Sequence, residues 1–254
     1  MDLLNQLASA DLSKIGHRKL YNYLKANYNI PLVTHIIKAG MPVFRGRSKE
    51  NIESFNSEFE ISYRTDFGNI IEYGRCNKPH QSVFYGCIPY SRDDYAPETT
   101  IYETVSEFFD PNKECEKDYI TIGMWKTKKD IEVLDISFSE DYNTNQYFDE
   151  KQKVWKNDLS SFLERNENSY KLLNFFAKEF SKKDIKSHWD YKLASIYFDI
   201  ALSENIVGVR YPSVQRSYNG LNLALHHSVV DDYLELDSVT VYELKNPIKP
   251  FKIA

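Results

Sequence analysis

The sequence predicts an α+β fold built around one sheet, and three observations carry that expectation. Runs of strand length rich in Val, Ile and aromatic residues stand towards both ends of the chain. Residues of helical period fill the stretch between about 150 and 204. No glycine-rich strand–helix signature suggests the alternating βαβ order of a doubly wound sheet. Strands that bracket helices in this way imply that the last strands complete a sheet begun early.

The 254 residues allow one large domain or two small ones at roughly 150 residues each, and they bury enough surface to need no staple. Lys and Arg number 32 against 37 Asp and Glu, a net charge of −5, which argues against a general grip on nucleic acid or an anionic membrane. Cys76, Cys87 and Cys115 are an odd set at irregular spacing, so no disulfide framework and no metal site is expected. No signal-like leader stands at Met1-Asp2-Leu3-Leu4-Asn5, and no apolar stretch reaches membrane-spanning length. A cytoplasmic protein is the expectation.

In chain order, Ile15, Leu20, Tyr23 and Leu24 predict an amphipathic helix over 13–28, and 32–44 reads as extended towards Phe44. The segment 1–42 is thus expected as a helical piece packed on a core of 43–254. Residues 58–63 alternate like a strand, and 82–88 form a short apolar run. Pro97 opens a helix expected to run to Phe109, since Pro suits the first helical turn. Its stripe of Ile101, Val105, Phe108 and Phe109 leaves Glu103 on the opposite face with Thr99 and Glu107. Periodicity leaves open whether that face meets solvent or a cleft. Residues 119–125 and 131–136, joined by a Lys-rich turn, read as a hairpin. Three helical patterns follow, on Val154, Trp155, Leu159, Phe162 and Leu163, then Leu172 to Phe180, then Leu193 to Ile200. Runs at 206–211, 221–225 and 233–242 return to strand.

Nucleotide-binding loops of the G-x-G-x-x-G and P-loop kinds are missing, as is a nucleophile elbow. A nucleotide here would be held by side chains. Three segments set polar residues beside Gly or Pro at strand ends, where scaffolds deliver groups to clefts. They are Phe44-Arg45-Gly46-Arg47, Gly74-Arg75-Cys76-Asn77-Lys78-Pro79, and Arg210-Tyr211-Pro212-Ser213 with Gly220-Leu221-Asn222-Leu223. Taken alone, each also fits an exposed turn. His226 and His227, as neighbours on a strand, would point to opposite faces and share no ion.

In order, these pieces resemble the RES family, named for Arg, Glu and Ser residues. The resemblance rests on Phe44-Arg45, on Gly-Arg-x-Asn-x-Pro at Arg75 and Asn77 with Tyr85 ten residues beyond the Arg, and on the Thr-rich run ending at Glu103. Pro212-Ser213 and Gly-x-Asn-Leu at Asn222 complete it, over about 43–242. Cys76 replaces the family's usual Trp, and His80 stands where Gly is common.

The resemblance implies an ADP-ribosyltransferase-like fold, a split mixed β-sheet core with flanking helices and an inserted helical stretch at about 150–204. It implies an NAD+-consuming enzyme, a glycohydrolase or phosphorylase, of a kind that includes bacterial toxins with a neutralising antitoxin partner. Glu103, Arg75, Tyr85 and Ser213 would take the catalytic positions, and Arg45, Asn77 and Asn222 would bind NAD. NAD+ would be substrate, so no cofactor and no metal is implied. A transferase that modifies a macromolecule, and a module that binds NAD without turnover, are the alternatives.

Overall fold

Residues 4, 7, 9–49, 55, 57–90, 95–109, 119–136 and 167–244 are described by a computed structural model of the chain. The helical pattern at Val154 to Leu163 and Cys115 lie outside the described residues. Eight strands among those described form one mixed sheet: β1 (Thr34–Ile37), β2 (Pro42–Lys49), β3 (Val83–Ile88), β4 (Tyr119–Thr127), β5 (Ile131–Asp135), β6 (Gly208–Pro212), β7 (Leu221–His226) and β8 (Leu234–Glu243). Their order across the sheet is β1-β5-β6-β7-β3-β2-β4-β8. Helices are α1 (His17–Asn27), α2 (Glu58–Ile61), α3 (Ala96–Thr104), α4 (Glu167–Phe180), α5 (Lys192–Ser203) and α6 (His227–Tyr233). The molecule is α+β, as the sequence predicts.

Three differences from the sequence expectation bear on how the sheet and the Glu103 helix are built. The first is the hairpin: β4 and β5 follow one another but do not pair. β4 lies between β2 and β8, while β5 lies between β1 and β6. Ile37 opposes Ile131 and Pro42 opposes Lys126, five positions along each strand, so the ladder keeps its register through a corner. β1 with β2 and β5 with β4 are therefore one long ribbon, folded over at 38–41 and 127–130. Side chains pin that corner: Thr127 Oγ1 donates to Lys38 O at 2.7 Å and accepts from Met41 N at 2.9 Å. The segment 1–42 accordingly supplies a strand as well as a helix.

The second is residues 58–63, where a single helical turn replaces the strand. Ile61, 2% exposed, is its anchor while Phe59 is 73% exposed. Glu58 and Glu60 fall in the first turn, where the helix dipole favours acids. The third is the helix from Pro97, which stops at Thr104. Val105 has φ −135°, and a 3₁₀ turn, Ser106–Phe109, follows. The break lets fully buried Val105 join Ile120 and Ile122 in a small cluster over β4. Glu107 is thus not on the helix that carries Glu103.

The main core lies between the sheet and a helical layer. Leu172, Leu173, Phe176 and Phe180 of α4 meet Leu193, Ile196, Tyr197 and Ile200 of α5, with Leu20 and Leu24 of α1. Such side chains contribute about 1.5–3 kcal/mol each on burial. Polar anchors fix α1 and its flanks to α5. His17 Nε2 lies 2.8 Å from Asp199, Tyr197 donates its hydroxyl to Pro31 O at 2.8 Å, and Lys192 Nζ donates to Ile15 O at 2.8 Å.

The sheet opens between β2 and β3. β2 and β3 share a single register pair, Phe44↔Cys87, whereas β2 pairs with β4 over eight residues. Arg45 bridges the divergence, donating Nη1 to Tyr85 O across it.

Candidate active site in the split of the sheet

Helix α3 is set by its threonines. Thr99 and Thr100 are 0% and 2% exposed, and small residues of the sheet let the helix approach closely. A Cβ on Gly46 would come 2.1 Å from Thr104 Oγ1, and one on Gly220 2.4 Å from Thr99 Oγ1. The Thr face, rather than the Ile101 stripe alone, is the buried one. The turn of α3 with Glu103 consequently faces β7 and the chain just past β6.

Glu103 is an exposed residue held by two buried donors. Ser213, fully buried after β6, donates Oγ to Glu103 Oε1 at 2.6 Å. Asn222 of β7, 5% exposed, donates Nδ2 to the same oxygen at 2.8 Å. Ser213 Oγ in turn accepts from Arg216 N at 3.2 Å, and Asn222 Oδ1 accepts the Cys87 thiol at 3.4 Å. The carboxylate is therefore fixed in one orientation by partners that are fixed themselves. Three residues separated by 110 and 119 positions in the chain meet here.

A cavity of about 550 Å³ opens beside this carboxylate, lined by Glu103, Asn222, Arg45, Arg75, Asn77 and Tyr85 among others. Six of the seven residues singled out in the sequence thus share one cavity, and the seventh, Ser213, holds Glu103 from behind.

Their chemical situations differ. Tyr85 accepts from Cys76 N and donates to Asn77 Oδ1, both at 2.9 Å. Burial raises its phenol well above the usual range. Asn77 Nδ2 donates to Glu72 O at 3.1 Å. Tyr85 and Asn77 together shape the turn at 74–77, where Gly74 approaches Asn77 too closely for any side chain. Arg75 donates Nη2 to Lys182 O at 2.9 Å and Nη1 to Phe180 O, and its guanidinium lies over the Tyr191 ring at 5.1 Å. It ties the C-terminal end of α4 to the cavity, a site that favours a cation. Arg45 is 4% exposed, and its Nε donates to Ile61 O and Ser62 O at 3.1 and 3.0 Å. Burial first, and the Arg47 charge second, push its guanidinium well below the usual range.

Sequence reasoning passed over Arg47 and the role of Gly46, although both stand in the Phe44–Arg47 segment. A strand period of two was the signal, since it places Arg45 and Arg47 on one face and Gly46 on the other. His226 and His227 also differ from expectation. His227 begins α6, and the two rings lie 4.3 Å apart. Among the described residues no His, Cys, Asp and Glu cluster could hold a metal ion, and no helix is long and apolar enough to cross a membrane.

No protein-family model matches the chain, and no curated protein does. Among solved structures, a chain from the crystal structure of the M. tuberculosis MbcT–MbcA toxin–antitoxin complex is similar at 12% identity and a TM-score of 0.44. The alignment covers 82% of this chain and 87% of that one.

Proposed function

We propose that the protein cleaves the nicotinamide–ribose bond of NAD+. The observation that carries this reading is the Glu103 carboxylate, oriented by Ser213 and Asn222 at the wall of a cavity that also holds arginines. Breaking an N-glycosidic bond builds positive charge on the ribose, and a preorganised carboxylate stabilises it as it develops. The bonding pair leaves with the nicotinamide nitrogen, which becomes neutral. Water or phosphate then adds to the ribose carbon and releases a proton. Guanidinium groups suit the diphosphate, because the planar fork matches phosphate oxygens. The Tyr85 ring lines the cavity and shields it from water.

Incubating the purified protein with NAD+ and identifying the products by mass tests this. Nicotinamide with ADP-ribose marks hydrolysis, nicotinamide with phosphorylated ADP-ribose marks phosphorolysis, and a mass increment on a protein marks transfer. NAD+ that binds without nicotinamide release overturns the enzymatic reading in favour of a binding module. The resemblance supports a role as a toxin restrained by a partner protein. Expression should then slow growth, and Glu103→Gln should relieve it.

A further inference from the structure

A second cavity of about 330 Å³ adjoins the first, and the two meet at Arg45, Arg47, Gly74, Asn77 and Tyr85. It lies on the Arg45 and Arg47 face of β2, because Gly46 between them turns towards α3. The two arginines at this junction are not equivalent. Arg45 spends Nε on two carbonyls and Nη1 on Tyr85 O, the bond that spans the split. Its guanidinium also lies over the Phe84 ring at 4.9 Å. It is a strut. Arg47 is partly buried, and a single bond is described for its guanidinium, from Nη2 to Ser62 O at 2.8 Å.

Asp66 is a carboxylate whose charge acts on Arg47, and Arg64 engages it. Arg64, which also lines the second cavity, holds Asp66 through both arms at 2.9 and 2.6 Å. Among the described residues no salt bridge reaches Arg45 or Arg47. Burial, then the charge of Arg64, lower the Arg47 guanidinium from its usual range. Two cations two residues apart, partly or wholly out of water and without a salt bridge among the described residues, are costly unless an anion joins them. Ser82, 1% exposed, also lines this cavity, and its Oγ has no described partner.

We propose that Arg47 is the residue that grips the diphosphate of a dinucleotide substrate, with Arg45 holding the split open beside it. The diphosphate then sits at the junction of the two cavities, one glycoside end reaching Glu103 and the other filling the second cavity. This assignment rests on the NAD+ reading for the identity of the ligand, but not for the anion site itself.

The test measures binding of inorganic pyrophosphate, orthophosphate and ADP-ribose by calorimetry to the wild type, Arg47→Ala and Arg47→Gln. Gln removes the charge and keeps an amide for Ser62 O, so it serves should the Ala variant fail to fold. Pyrophosphate and ADP-ribose should each bind about tenfold or more weakly to either variant, the factor a lost charge-assisted hydrogen bond gives. In turnover, Arg47→Gln should raise KM for NAD+ by a similar factor with kcat little changed. Pyrophosphate that fails to bind the wild type, or binds the variants equally, overturns the assignment. So does orthophosphate that binds as tightly as pyrophosphate without competing with ADP-ribose, which marks a site for free phosphate. A wild type that binds pyrophosphate through Arg47 but releases no nicotinamide leaves the anion site standing and removes the proposed reaction.

Discussion

Glu103 and Glu107 stand four residues apart, and by periodicity they share a helix face. The backbone separates them: one ends α3 against Ser213 and Asn222, the other lies in the 3₁₀ turn beyond the break at Val105. Glu103→Gln keeps an oxygen for both donors and removes the charge. If the carboxylate acts only as the glycosidic bond breaks, nicotinamide release should fall on the order of 10²-fold or more while NAD+ affinity stays close to wild type. Glu107→Gln should change turnover little. Equal loss in both variants overturns the mechanism. His226 gives a second, independent residue-scale expectation. Burial, with the His227 charge behind it, lowers its pKa to about 4, and its Nδ1 caps α6 by accepting from Ser228 N. The unfolded chain takes up this proton nearer 6.5, so the contribution is whole above that pH and is lost as pH falls towards 4. His226→Asn keeps a capping acceptor that does not titrate. Thermal unfolding followed from pH 7 to 4.5 should show a shallower decline in the variant.

At the scale of elements, the site depends on how closely α3 approaches β2. Gly46→Ala drives a methyl into Thr104 and Thr100, and such overpacking costs about 1–3 kcal/mol. The helix must shift, and Glu103 shifts with it. Turnover should drop by more than the stability loss explains, and adding Thr104→Ala should restore much of it by removing the hydroxyl in the way. Much of this site was legible in the sequence, because Gly, Pro, Thr and Arg punctuate it at strand ends where local rules act. What was not legible is physical as well. The stripe of Ile101 and Val105 is real, but it serves a satellite cluster, while Thr99 and Thr100 make the main contact through glycines far along the chain. No periodicity of α3 contains that information. Arg45 and Arg75 were legible as residues of one cavity but not in what their donors reach, since their carbonyl partners come from Ile61, Ser62, Phe180 and Lys182.

Across the whole molecule, fold class followed from the order of strand and helix patterns, whereas strand order did not. A short turn between 119–127 and 131–135 favours a hairpin locally. Pairing of the preceding ribbon with both strands overrides it, and the corner sends β4 and β5 to different parts of the sheet. Leu4, Leu7, Leu12, Leu20 and Leu24, among the first forty residues, share the main core. Leu24 is 0% exposed and packs within the largest core cluster, so Leu24→Ala should cost about 2–5 kcal/mol, the loss of a true core leucine. Denaturant unfolding of the variant checks this; a loss well under 1 kcal/mol would mark the segment as a loosely docked appendage.

The single pairing of β2 with β3 has a consequence for solvent. In an antiparallel strand, successive amides point alternately to the two sides, so one set on β2 is locked into β4 along its length. Beyond Phe44 the other set meets the split, where the described neighbour β3 has turned away. Within one strand, then, deuterium should enter alternate positions at two widely different rates. A molecule lying in the opening would close that difference at Gly46 to Ser48 and leave the β4 side unchanged, so the strand itself records whether the cleft is filled.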